Sequence, residues 1–434
     1  MKKFFFIFTI TFITLPVFCG IHLDEAVKKG IELNFELKNI GIESKIIDKR
    51  MKIAESGKVF KIDLKGNYLF RSEKIEMNLP DITIHPGLVF PGVTMEGGAF
   101  NNFDLYFSII QPIYTGNILT NSIKLKEVEK LLNNTGRELK IIEISNKIKT
   151  TYFTFRLLKN EKRSLEIILG RVEVHLATLQ DLYKEGLVRR NEILETELKA
   201  GEMVLKKEEI DSLINSVSKN FHELCGYEIS MIDPDYSESI REEKVSMEFF
   251  IQNHPQFRIF STKEKVLKLK KKIAQGQRLP HLNGFAEVHY GKPGINFFQD
   301  QWNSWFQGGI NLNFNLFNSG KYGKEKNIIV YEKEKLKNIK KDLISKIRTK
   351  LSDLYQNHLS LKRKLKVSEK LVVRSEEESD IKKKLFEERQ VSNSEYLTSL
   401  LNVKKYRSMK NKIELQIQKT KVSINSLIGK EGGK

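Results

Sequence analysis

Phe306-Gln307-Gly308-Gly309-Ile310-Asn311-Leu312-Asn313-Phe314-Asn315-Leu316-Phe317-Asn318-Ser319-Gly320 is the stretch on which the fold turns. From Phe306 to Leu316 every second residue is apolar or Gly, and those between are Gln, Gly and Asn. A period of two held this long predicts a strand with one apolar face and one face of neutral amides. Three other segments read the same way. Ile62, Leu64, Gly66, Tyr68 and Phe70 alternate with Lys61, Asp63, Lys65, Asn67 and Arg71. Phe103, Leu105, Phe107 and Ile109 alternate with Asp104, Tyr106 and Ser108, and Leu282, Gly284, Ala286, Val288 and Tyr290 share one face. Taken singly, each pair would pass for a soluble hairpin with one buried face.

The end of the stretch occurs twice. Leu316-Phe317-Asn318-Ser319-Gly320 matches Pro112-Ile113-Tyr114-Thr115-Gly116, 204 positions earlier. Leu182-Tyr183-Lys184-Glu185 recurs as Leu385-Phe386-Glu387-Glu388, and Val188, Glu192 and Leu194 recur as Val391, Glu395 and Leu397, at an offset of 203. Leu224-Cys225-Gly226 against Leu427-Ile428-Gly429 keeps that offset. Ordered anchors at one spacing indicate a tandem duplication. We divide the chain into a signal peptide (1–19), a first repeat (20–227), a linker (228–247), a second repeat (248–429) and a tail (430–434). Asp233-Pro234-Asp235 reads as linker without chemistry.

Between the strand pairs lie long stretches free of Pro, from Pro112 to Pro234 and after Pro293. Apolar residues recur there at steps of three and four, as in Leu165, Ile168, Val172, Leu176 and Leu179, or Leu336, Ile339, Leu343 and Ile347. This is the pattern of coiled-coil helices. A helix from about Ile118 to Tyr183 would be roughly 100 Å long. His358 falls on the stripe of the second long helix and reads as a packing residue.

Met1 to Lys3 followed by the apolar run Phe4 to Val17 has the dimensions of a secretory signal, with cleavage expected before Gly20. The alternative is lipidation of Cys19, against which Phe18 stands where a small residue is wanted. Beyond the signal no stretch is apolar enough for a spanning helix, so membrane insertion would require a closed barrel. Cys225 is left alone, which excludes an intrachain disulfide, and no Cys/His cluster has metal-ligand spacing. The net charge of +19 comes from Lys mixed with Glu along the helices, so we expect no nucleic-acid partner. No nucleophile–base pair or cofactor motif is present, and neither an enzyme nor a cofactor is expected.

Four strands cannot close a barrel in lipid. Three copies supply twelve strands, an even number in the known range, although strand arithmetic alone also permits two or four copies.

At this point the chain resembles the TolC-like outer-membrane efflux protein family along nearly its whole mature length. The matching pieces are His22 to Val27 with Asn34 to Leu37, Asn253 to Phe257, Arg278 to Gly284, Gly309 to Gly320, and the helix-hairpin tip Tyr183 to Val188. The resemblance implies a homotrimer with a twelve-stranded transmembrane β-barrel and an α-helical coiled-coil tunnel below it. It places the chain in the outer membrane, reaching into the periplasm, with a periplasmic adaptor and an inner-membrane pump as partners. The function implied is passive export in a tripartite efflux or type I secretion system. A periplasmic coiled-coil scaffold anchored at the outer membrane is the alternative.

The resemblance also points to site residues. The pore entrance would carry Glu192, Glu195, Glu395 and Thr398, the last standing where a second acid is usual. Glu192 and Glu195 share a helix face, and threefold symmetry would gather such carboxylates around an axis. Gly186, Leu187, Val188, Arg389, Gln390 and Val391 would form the tips that touch the adaptor, with Arg389 in a position usually held by Gly. The plainer readings are solvated helix residues for the acids and a simple coiled-coil cap for the tips.

Overall fold

The computed structural model describes residues 21–239, 251 and 254–429; the expected signal, Cys19 and the tail 430–434 lie outside them. The elements run α1 (Leu23–Leu33), α2 (Phe35–Ser56), β1 (Lys61–Phe70), β2 (Ile75–Asn78), β3 (Ile82–His85), β4 (Leu88–Phe90), β5 (Thr94–Gly97) and β6 (Asn101–Tyr114). They continue with α3 (Ile118–Lys184), α4 (Arg190–Cys225), a 3-10 turn at Ile229–Met231, α5 (Pro255–Gly276), β7 (His281–Lys292), β8 (Asn303–Asn313), α6 (Lys321–Glu387) and α7 (Asn393–Ile428). The two long helices have 67 residues each and their return helices 36 each. Among the described residues no helix is long and apolar enough to cross a membrane.

The chain forms two compact units, one of residues up to Ile40 with Gly136–Arg258 and Asp342 onward, the other of Gly41–Thr135 with Ile259–Lys341. In the first, the core is the helix stripe. Ile144, Ile148, Phe155, Leu165, Ile168, Val172 and Leu179 of α3 are buried. Met203, Ile210, Ile214, Phe221 and Cys225 of α4 join them at steps of seven and four. The helix α1 lies against the end of α4, where a Cβ on Gly30 would come within 2.7 Å of the Leu224 carbonyl oxygen. That approach requires glycine.

The segment read as linker is described as far as residue 239, and there it packs against the helices. Ile21 forms a parallel bridge with Ile232. Glu238, buried, takes the Lys149 ammonium at 2.9 Å and the Asn425 amide at 2.7 Å, and the Tyr236 hydroxyl donates to it at 2.8 Å. Burial and the adjacent Glu238 carboxylate push the Tyr236 phenol up.

In the second unit β1, β6, β7 and β8 form one antiparallel sheet in the order β1-β6-β7-β8. The register puts Leu64, Phe107, Val288 and Phe306 in one row, each more than half exposed. On the opposite face Ser108 and His289 are buried. A water-soluble sheet would show the reverse burial.

Two expectations are corrected. The strand read through Leu316 ends at Asn313, because Asn313 pairs with His281, the first residue of β7, and no ladder remains for Phe314 to Leu316. Alternation predicts four strands in the chain, yet the segment after Phe70, rich in Pro and Gly, carries more. It builds two further small ladders, β2 with β5 and β3 with β4, so the described chain has four main strands and four short ones.

Candidate functional site

The two helix-hairpin tips are built alike. At the end of α3, Gly186 takes the left-handed conformation (φ 76°), its N–H donating to the Tyr183 carbonyl and that of Leu187 to the Leu182 carbonyl. At the end of α6, Arg389 does the same (φ 60°), with the Arg389 and Gln390 N–H groups donating to the Phe386 and Leu385 carbonyls. Both are Schellman turns, and the second places a side chain where Gly is the easy choice.

Each return helix is then capped by its first acid. The Ser392 N–H donates to Glu395 Oε2 at 2.9 Å while Ser392 Oγ accepts from the Glu395 N–H at 3.3 Å, a complete capping box. The Arg189 N–H donates to Glu192 Oε1 at 3.3 Å in the equivalent place. Hydrogen bonds from the Ser392 N–H and hydroxyl, with Lys382 beside it, hold the Glu395 carboxyl below the usual range. Two of the expected entrance acids are therefore engaged in starting their helices.

Beneath the tips lies a buried polar cluster. Asn393, the first residue of α7, sits with its Oδ1 2.7 Å from His175 Nε2 of α3. Its Nδ2 donates to the Glu192 carbonyl at 3.2 Å, to Thr196 Oγ1 at 3.3 Å and to Glu195 Oε2 at 3.5 Å. Phe386 and Tyr396 stand edge-on to the His175 ring at 4.8 and 4.7 Å. Burial lowers the His175 pKa, partly offset by the Asn393 bond.

These contacts bring the two tips together around one groove of about 400 Å³. Leu187, Val188, Glu192, Glu195, Arg389 and Val391 line it, with Asn393 at its floor. Gly186, Gln390, Glu395 and Thr398 lie outside the lining, and Thr398 is exposed on α7. His175, Thr196 and Asn393 escaped the sequence reading, because nothing local marks residues whose partners lie about two hundred positions away. Among the described residues no group of His, Cys, Asp and Glu is placed to hold a metal ion.

No protein-family model and no curated protein matches the sequence. Solved structures do. The chain aligns with CusC, described for its transmembrane channel formation, over 94% of its own length and 92% of that chain, at TM-score 0.77 and 10% identity. The outer membrane protein VceC from Vibrio cholerae aligns over 94% of this chain and 96% of that one, at TM-score 0.72 and 12% identity. The CmeC outer membrane channel of Campylobacter jejuni aligns over 95% and 86%, at TM-score 0.74 and 13% identity. The resemblance drawn from the motifs is thus borne out at the level of fold: this chain has the fold of the outer-membrane channel proteins.

Proposed function

We propose that the chain is the outer-membrane exit duct of an export assembly, three copies closing one twelve-stranded barrel above a helical periplasmic tunnel. The observation that carries this reading is the burial pattern of the β1-β6-β7-β8 sheet, whose apolar face is bare while Ser108 and His289 on its polar face are buried. A bare apolar sheet face suits lipid and penalises water. Its outer strands β1 and β8 run in opposite directions, so copies joined edge to edge continue an antiparallel ladder. Closure removes both edges, as lipid demands.

Transport through such a duct is passive and uses no catalytic group, the energy coming from an inner-membrane pump joined through a periplasmic adaptor. The groove at the tips, with Leu187 exposed at its rim, is the proposed adaptor contact, and Glu192 and Glu195 beside it the proposed entrance acids. Changing Glu192, Glu195 and Glu395 to Gln keeps groups able to cap a helix while removing charge. Block by divalent cations should then weaken, and unaltered block would reject the entrance role. Gly186→Asp with Leu187→Asp should abolish capture of the adaptor.

The deciding experiment measures the mass and planar-bilayer conductance of protein extracted from outer membranes in detergent. A conducting trimer is expected. A monomer that needs no detergent and passes no current would replace the duct with a periplasmic scaffold.

A further inference from the structure

Lys65, Tyr106, His289 and Trp305 stand opposite one another across β1, β6, β7 and β8, one residue from each strand, all on the polar face. Their side chains form a continuous stack. The Tyr106 and His289 rings lie 4.4 Å apart with 17° between their planes. His289 and Trp305 lie 4.7 Å apart at 9°. The Lys65 ammonium sits 5.5 Å from the centre of the Tyr106 ring. Strands in a sheet are about 4.8 Å apart, so the rings stack like plates at the spacing of the strands.

The stack is clamped in place. His289 Nδ1 lies 2.9 Å from Asp104 Oδ1, and the Gln307 amide is 3.0 Å from His289 Nε2 while donating to Glu287 Oε2 at 2.7 Å. Ser108 holds the other Glu287 oxygen at 2.9 Å. The indole of Trp305 reaches over Gly291, where a Cβ would lie 3.0 Å from its Cη2. His289 is only 6% exposed although it lies on the face of an open sheet. His289 has a ring on each side and Tyr106 a ring and the Lys65 ammonium, which resists their folding away to let a large solute by.

We propose that this row is the narrow level of the strand-lined duct and shuts out bulky, folded cargo. The inference rests on the closed three-copy barrel proposed above. Twelve strands at that spacing and a tilt of about 40° enclose a backbone ring roughly 24 Å across. Side chains reaching inward from all twelve leave an opening on the order of 10 Å at the level of the row. A folded domain of 100 residues, with a radius of gyration of about 13 Å, does not fit. Folded domains are therefore excluded from this level of the duct.

The test places Asn311→Cys in the full-length chain in intact cells. Asn311 shares the polar face of β8 and lies beyond Trp305 from the 293–302 loop. A small maleimide added outside should label it, and a maleimide carried on a rigid cyclodextrin should not. Combining Tyr106→Ala with Trp305→Ala should raise labelling by the bulky reagent several-fold, while Trp305→Phe, which keeps a ring, should leave it excluded. If the double variant fails to reach the membrane, Trp305→Ala alone makes the same comparison. Equal bulky labelling with and without the rings, whether fast or absent, overturns the proposal and leaves the duct standing. No labelling by the small maleimide in any variant overturns the duct reading and this inference with it.

Discussion

Asn393 and His175, 218 positions apart in sequence, meet at 2.7 Å in the buried space under the hairpin tips. The Asn393 amide nitrogen is taken up by the Glu192 carbonyl and Thr196, so its oxygen accepts and His175 carries its proton on Nε2. One side chain thus ties together the end of α3 and the first turns of α4 and α7. Asn393→Ala leaves several of these groups buried and unpaired, and should cost about 1–3 kcal/mol. Thermal unfolding followed by helical circular dichroism checks it; an unshifted midpoint would remove Asn393 from this role.

Acid should loosen the same region in two steps. Burial holds the His175 pKa below its ordinary value of 6.5. The unfolded chain then takes up protons first as pH falls, so this stability is complete above 6.5 and is lost as pH drops through that value. Glu395, held below its usual 4.5, keeps its contribution above that value and loses it only in stronger acid. The unfolding midpoint should fall between about pH 7.5 and 5.5, and less so in His175→Phe. A wild-type midpoint flat across that window would contradict the prediction.

Arg389 holds a left-handed backbone at φ 60° where the other tip has Gly186 at φ 76°. A side chain in that conformation costs about 1–2 kcal/mol. Arg389→Gly should recover most of it, and Gly186→Ala should lose a comparable amount. Both are read from unfolding midpoints, and a destabilised Arg389→Gly would mean that the Arg side chain makes contacts outweighing the backbone cost.

Lys149 and Glu238 form a buried ion pair at 2.9 Å, with Asp24 3.6 Å from the same ammonium. Removing one partner strands the other charge away from water. Lys149→Met should therefore cost about 3–5 kcal/mol, and adding Glu238→Gln should restore a large part. If the double variant is no more stable than the single one, the pair is not the source of the loss.

Much of the fold was legible because its signals are local. The step of three and four without Pro predicted a helix over 118–183, and α3 runs Ile118–Lys184. Alternation located all four main strands, since side chains on a strand must alternate between two surfaces. Local pattern misled where a partner decides the outcome. Phe314 to Leu316 alternate as well as any strand residues, yet they lie past the first residue of β7. The break between α1 and α2 falls at Asn34, whose Oδ1 accepts from the Leu37 N–H at 3.1 Å to start α2, a cap that apolar spacing does not mark.

The sequence by itself determined the period of each segment and which face of each strand is apolar, which follow from neighbours a few residues apart. It also determined the repeated order of its motifs, which follows from comparing its two halves. That the apolar strand face stays bare is seen only in the structure. Only the tertiary structure decided which polar groups meet. His175 with Asn393, Lys149 with Glu238, and Tyr106 with His289 and Trp305 are each set by helix packing or strand register across many tens of residues. The physical reason is that a buried polar group must find a partner wherever the fold brings one, and periodicity along the chain carries no record of which one that is.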